Sequence, residues 1–95
     1  MISFLVRLRF APEDRPAMAE MVRQLAAESR REEGCVSYIP HLQIENPDAV
    51  VIYEQYRDEQ ALAAHRESEH FRKYAVAGLY QKMLDRTVEN LSALI

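Results

Sequence analysis

Ile2-Ser3-Phe4-Leu5-Val6-Arg7-Leu8-Arg9-Phe10 alternates without a break. Ile2, Phe4, Val6, Leu8 and Phe10 make one wholly apolar face, and Ser3, Leu5, Arg7 and Arg9 a mixed one. Successive side chains of a strand point to opposite sides, so this pattern predicts a half-buried strand. Ala11-Pro12-Glu13-Asp14-Arg15-Pro16 stops it, with Asp14 placed to cap a helix whose first turn tolerates proline. Met18, Met21, Val22, Leu25 and Ala26 then recur at helical spacing, opposite Glu20, Arg23, Gln24 and Arg30. Gly34 closes the pattern and is expected in the left-handed position past a helix end.

Residues 35–44 read as a second strand, with Val36, Tyr38, Pro40 and Leu42 on one face and Cys35, Ser37, Ile39 and His41 on the other. Pro40 cannot donate to a ladder and marks an edge or a bulge. Glu45-Asn46-Pro47-Asp48 reads as a turn, and Val50-Val51-Ile52-Tyr53-Glu54-Gln55-Tyr56 as the returning strand of a hairpin. Asp58 can cap a short helix with Leu62 and His65 inward, and Ser68 a second one with Phe71, Tyr74, Ala75 and Leu79 inward. Residues 86–95 alternate again, Val88 and Leu94 against Leu91, Ala93 and Ile95. The order is β-α-β-β-α-β, which predicts a ferredoxin-like α+β domain spanning 1–95, with both helices on one face of a four-stranded antiparallel sheet. The other sheet face then carries Leu5, Ile39, Val51 and Tyr53 among Arg7, Arg9 and Gln55. Packing that face on a second copy would remove its apolar groups from water, so a homodimer with stacked sheets is expected.

The composition sets bounds on function. At 95 residues and 48% hydrophobic, the chain is a single small domain with a small core. A net charge of −3 argues against a general nucleic-acid binder. No apolar run is long enough to span a membrane. Met1-Ile2-Ser3-Phe4-Leu5-Val6 lacks the basic start of a signal peptide, and Cys35 is the one cysteine, so a cytoplasmic location is expected.

Chemistry is sought where polar groups face the interior. On the even face of its strand, Glu54 points inward between Ile52 and Tyr56. It is either a carboxylate with a raised pKa serving a substrate or a histidine, or an Arg-paired structural acid. His65, one turn after Leu62, is either a general base in a pocket under the second helix or a satisfied histidine at the core edge. Tyr38 and Tyr74 could place hydroxyls in the same pocket. His70 is expected in surface or helix-end packing, and His41 at the dimer face. His65 and His70 are five apart, about 140° around a continuous helix, so no shared metal site is expected. Cys35 reads as an unactivated thiol. There is no phosphate-cradling glycine loop and no nucleophile elbow.

Several segments together resemble one family. They are Glu33-Gly34-Cys35-Val36-Ser37-Tyr38, Val51-Ile52-Tyr53-Glu54-Gln55-Tyr56-Arg57-Asp58-Glu59, Ala61-Leu62-Ala63-Ala64-His65-Arg66 and Ser68-Glu69-His70-Phe71. The chain resembles the antibiotic biosynthesis monooxygenase (ABM) domains along essentially its whole length. The resemblance implies a dimeric α/β barrel and a monooxygenase that needs no metal or organic cofactor. An electron-rich phenol or quinol loses a proton in an apolar pocket, its anion reduces O2, and a quinone results. It further implies His65 as base or proton relay, and Glu54 and Tyr38 as orienting groups. Ile52, Tyr56, Leu62, Phe71 and Tyr74 are then expected around the substrate. Haem-degrading relatives of the fold use a Trp, an Asn and an axial His. Here there is no Trp, and Leu8 and Ala75 stand at or near the other two positions, so haem degradation is not expected.

Two other functions compete. One is a non-oxidative isomerase of a small, phosphorylated metabolite, with Arg72 or Lys73 at the pocket mouth. The other is a non-catalytic dimeric binding domain with a filled core. An aromatic-sized slot would favour the oxygenase, and a basic mouth the isomerase.

Overall fold

A computed structural model describes all residues, 1–95. Strand β1 (Ile2–Arg9) leads through a 3-10 turn (Pro12–Asp14) into helix α1 (Arg15–Ser29). Strands β2 (Cys35–Gln43) and β3 (Asn46–Tyr56) form the hairpin, followed by α2 (Glu59–Glu67). A π-helix (Phe71–Leu79) runs directly into one α-turn, α3 (Tyr80–Lys82), and β4 (Asp85–Leu91) ends the fold. The sheet is antiparallel in the order β2-β3-β1-β4, the ferredoxin-like arrangement. No helix is long and apolar enough to cross a membrane.

The alternation of β1 becomes the two faces of the sheet. Phe4, Val6, Leu8 and Phe10 are buried, as are Val50, Ile52 and Tyr56 on the same side. Met18, Val22, Leu25 and Ala26 of α1, with Ala75 and Leu79 of the π-helix, close over them as one core. Leu5, Val51 and Tyr53 on the opposite side stay half-exposed because no helix covers them.

Local details depart from the sequence pattern, each for a physical reason. Asp14 does not cap α1: its backbone is already helical, and its side chain makes no cap bond. The chain enters the helix through the preceding tight turn instead, with Asp14 N–H on Ala11 O. Gly34 is not left-handed, since no residue has positive φ. A Cβ there would land on Cβ of Ala61 in α2, so the position calls for glycine by space rather than by dihedral. A bulge at Val36 shifts the register between Cys35 and Ser37. It turns Cys35 onto the core side with Tyr38 and leaves Val36 exposed, reversing the expected face of both. The hairpin turn is Ile44-Glu45, and β3 already begins at Asn46. Residues 47–49 have no partner in β2, so Pro47 sits where no donor is required. Strand β4 stops at Leu91, and Leu94 and Ile95 lie fully in solvent rather than on sheet faces.

Other expectations hold. Pro40 lies on the edge strand. Asp58 caps α2, its carboxylate accepting from Ala61 N at 2.8 Å. Ser68 ends α2 by donating to His65 O at 2.6 Å, and starts the next segment by accepting from Phe71 N.

Candidate active site

The hairpin and α2 build the site. Glu54 pairs across the sheet with Phe4 on one side and Tyr38 on the other. These are helix-facing positions, so its carboxyl is buried, 6% exposed. Tyr56, two residues on and on the same face, donates its hydroxyl to Glu54 Oε1 at 2.6 Å. The structural partner of Glu54 is thus a tyrosine rather than an arginine. Burial pushes the Glu54 carboxyl above its ordinary range, against the opposing pull of the Tyr56 hydrogen bond and the nearby His65, Arg86 and Arg66.

His65 points inward from α2 and is 2% exposed. It sits among aromatic rings, with centroids 5.0 Å from Tyr56, 5.1 Å from Phe71 and 5.8 Å from Tyr38. Its Nδ1 lies 2.8 Å from Glu32 Oε2, and its Nε2 lies 3.8 Å from Glu54 Oε1. Burial raises the Glu32 carboxyl, but hydrogen bonds from His65 and His70 outweigh it and leave the group below its ordinary pKa. An ionised carboxylate only accepts, so Nδ1 of His65 is the donor. In the neutral ring Nε2 then carries no proton and is a free base directed toward Glu54.

The same carboxylate oxygen also receives His70 Nε2, at 2.5 Å. The expectation that His65 and His70 share no metal site took their angle along one continuous helix and left out the break that Ser68 itself signals. The chain breaks at Ser68, and both rings turn to Glu32. His70 is therefore part of the site and not surface packing.

A small, partly open cavity of about 40 Å³ lies beside these groups. Tyr38, Ile52, Glu54, Leu62, His65 and Phe71 line it, as expected. Tyr56 does not: it is fully buried behind Glu54 and acts on the cavity through that carboxyl. Tyr74 also falls outside and borders a separate surface groove with Arg72 and Lys73. Lys73 lies over the Tyr74 ring and Arg72 donates to Glu67 O, so neither cation reaches the cavity. Arg66 and Arg86 do. The space accommodates a few waters or O2 and is smaller than an aromatic ring, so the aromatic-sized slot that would favour the oxygenase is absent, while Arg66 and Arg86 make the cavity's mouth basic. Burial, then Glu54, hold the Tyr38 hydroxyl in its neutral, hydrogen-bonding form by raising its pKa well above the usual value.

The residues missed from sequence are Glu32, Tyr80, Arg66 and Arg86. Glu32 sits in Arg30-Arg31-Glu32-Glu33, which reads as a solvated charge run. Its one signal lies in the pairing of Cys35 with Tyr56. That pairing brings the loop before Cys35 alongside the chain after Tyr56, with Arg57 N–H bonded to Gly34 O at 2.9 Å.

Comparisons with known proteins agree with this architecture. No curated protein matches the sequence. A crystal structure of an antibiotic biosynthesis monooxygenase superposes with a TM-score of 0.92 at 24% identity, covering 100% of both chains. The Pseudomonas aeruginosa protein PA3566 gives a TM-score of 0.91 at 28% identity, over 99% of this chain and 94% of that one. A conserved protein of Bacteroides thetaiotaomicron, titled a possible oxidoreductase, gives 0.87 at 27%, over 95% and 94%. The family model for antibiotic biosynthesis monooxygenases matches residues 1–77, from β1 into the π-helix. With the ferredoxin-like fold and this match over most of its length, the chain belongs to the antibiotic biosynthesis monooxygenase family.

Proposed function

We propose that the protein is a cofactor-independent monooxygenase of a small phenol- or quinol-type substrate. One observation carries the reading: His65 is buried beside an apolar cavity, its Nδ1 is held by Glu32, and its Nε2 is left bare. Such a group is suited to take a phenolic proton where water is scarce. Glu54 and Tyr38 orient the substrate oxygen, and Ile52, Leu62 and Phe71 pack its ring. The resulting anion gives one electron to O2, and the radical pair joins at a ring carbon. Loss of water leaves a quinone. One oxygen atom enters the product, the other leaves as water, and the substrate supplies all the electrons. The cavity is smaller than an aromatic ring, so the reading requires its exposed wall, where Arg66 and Arg86 stand, to give way when a ring enters. Aerobic incubation with a panel of hydroquinones and phenols should give O2 uptake and quinone formation, lost in His65→Ala. No turnover across the panel, or turnover equal in His65→Ala, contradicts the proposal.

A second reading is favoured by those same arginines: proton-transfer isomerisation of a small phosphorylated metabolite, with the phosphate at Arg66 and Arg86. It expects activity that persists without oxygen. The cavity lined by His65 and Glu54 counts against a purely structural domain. We further infer a homodimer through the sheet face bearing Leu5, Val51 and Tyr53, which the helices leave uncovered.

A further inference from the structure

We propose that Glu32, His65 and His70 bind a divalent transition-metal ion of the zinc class. The three come from different segments: the loop before β2, the inner face of α2 and the turn before the π-helix. Their donor atoms lie within 4.8 Å of one another. Two imidazole nitrogens and a carboxylate oxygen are a borderline donor set. It suits Zn²⁺, Co²⁺ or Ni²⁺ rather than Mg²⁺ or Ca²⁺, which take oxygen ligands, and it leaves a coordination position open.

Two features go beyond proximity. Both rings crowd onto Oε2 of Glu32, while its other oxygen, Oε1, is buried with no hydrogen-bond partner. A cation placed among the three groups would relieve both conditions, taking the shared oxygen and leaving Oε1 within reach of a second bond. Metal–ligand bonds of about 2.0–2.2 Å put tetrahedral donor atoms roughly 3.3 Å apart, so the two Glu32 contacts need to open by less than about 1 Å and the two imidazole nitrogens, within 4.8 Å, to draw together by no more than about 1.5 Å. His65 is locked among aromatic rings, but the Glu32 and His70 side chains are 16% and 17% exposed and can make that adjustment. An entry path exists as well. His70 borders the surface groove, whose rim also carries Glu28 and Glu69.

Occupancy would bear on the proton chemistry. A metal on Nδ1 of His65 leaves the ring proton on Nε2, the atom proposed above as the base. The loaded protein would then be unable to take a substrate proton, which makes the site an inhibitory one. That consequence rests on the oxygenase reading, whereas binding of the ion does not.

The test uses the whole protein, stripped with a chelator and titrated with Co²⁺. The expected result is saturable binding of one ion per chain, visible d–d absorption and displacement by Zn²⁺. His70→Asn, at the partly exposed ligand, should weaken binding at least about tenfold while the protein stays folded, and Glu32→Gln should do the same. His41→Asn, at an exposed position on β2, should bind like wild type. Absence of saturable binding, or His70→Asn binding as tightly as wild type, overturns the proposal. Zn²⁺ binding with no quinol turnover by the stripped protein would defeat the oxygenase reading alone.

Discussion

His65 turns its two ring nitrogens toward two carboxyls of opposite character, and only one of them is hydrogen-bonded. Glu32 is held ionised by its two histidines and fixes Nδ1. Glu54 is pushed upward by burial and sits 3.8 Å from Nε2. Inward Glu54 and His65 were legible from strand and helix periodicity. Glu32 was not, because a loop acid in a charge run has no period. Cys35 shares this neighbourhood, and burial, then the charges of Glu32 and Glu54, push its thiol up to about 11. Only the thiolate is alkylated. Native Cys35 should therefore react with iodoacetamide roughly two-hundredfold more slowly at pH 8 than the same thiol in denaturant, where its pKa returns to about 8.5, and should speed up as pH approaches 11. A native rate within a few-fold of the denatured one contradicts this account.

At the scale of elements, α2 is positioned by what lies under it. Its cap at Asp58 and its stop at Ser68 were both readable, because each is a short-range hydrogen bond with a residue signature. The bulge at Val36 was not, since strand alternation continues through it in the letters while the register slips in space. The close approach of Gly34 to Ala61 is likewise a tertiary fact, invisible to a helix-ending rule. With no positive φ at stake, Gly34→Ala acts only by pushing α2 away. It should destabilise the fold by about 1–3 kcal/mol, the usual range for overpacking. Ala61→Gly in the same chain should recover part of that loss. Thermal melting of the two single variants and the double variant measures the coupling, and an unchanged melting temperature in Gly34→Ala contradicts the packing argument.

For the whole molecule, one sheet face is spent on the core and the other is left open. Leu5, Val51 and Tyr53 are half-exposed there, Ile39 and Leu91 more so. The β1 alternation foretold this two-sided sheet, and the alternation of residues 86–95 a last strand, though not that the strand would end at Leu91. A small domain with such a face gains most from a second copy. Sedimentation should report a dimer, converted to monomer by Leu5→Arg in the centre of the face; a monomeric wild type contradicts that arrangement. The same two-sidedness leaves the polar interior concentrated in one place, between β3 and α2. The claim that this place performs oxygen insertion is tested most directly by turnover of a phenol under isotopically heavy O2, with mass spectrometry of the quinone. The account predicts one heavy oxygen atom in each product molecule from the metal-stripped wild type and no enzymatic product from His65→Ala. A quinone free of the label, or label incorporated equally by His65→Ala, would contradict it.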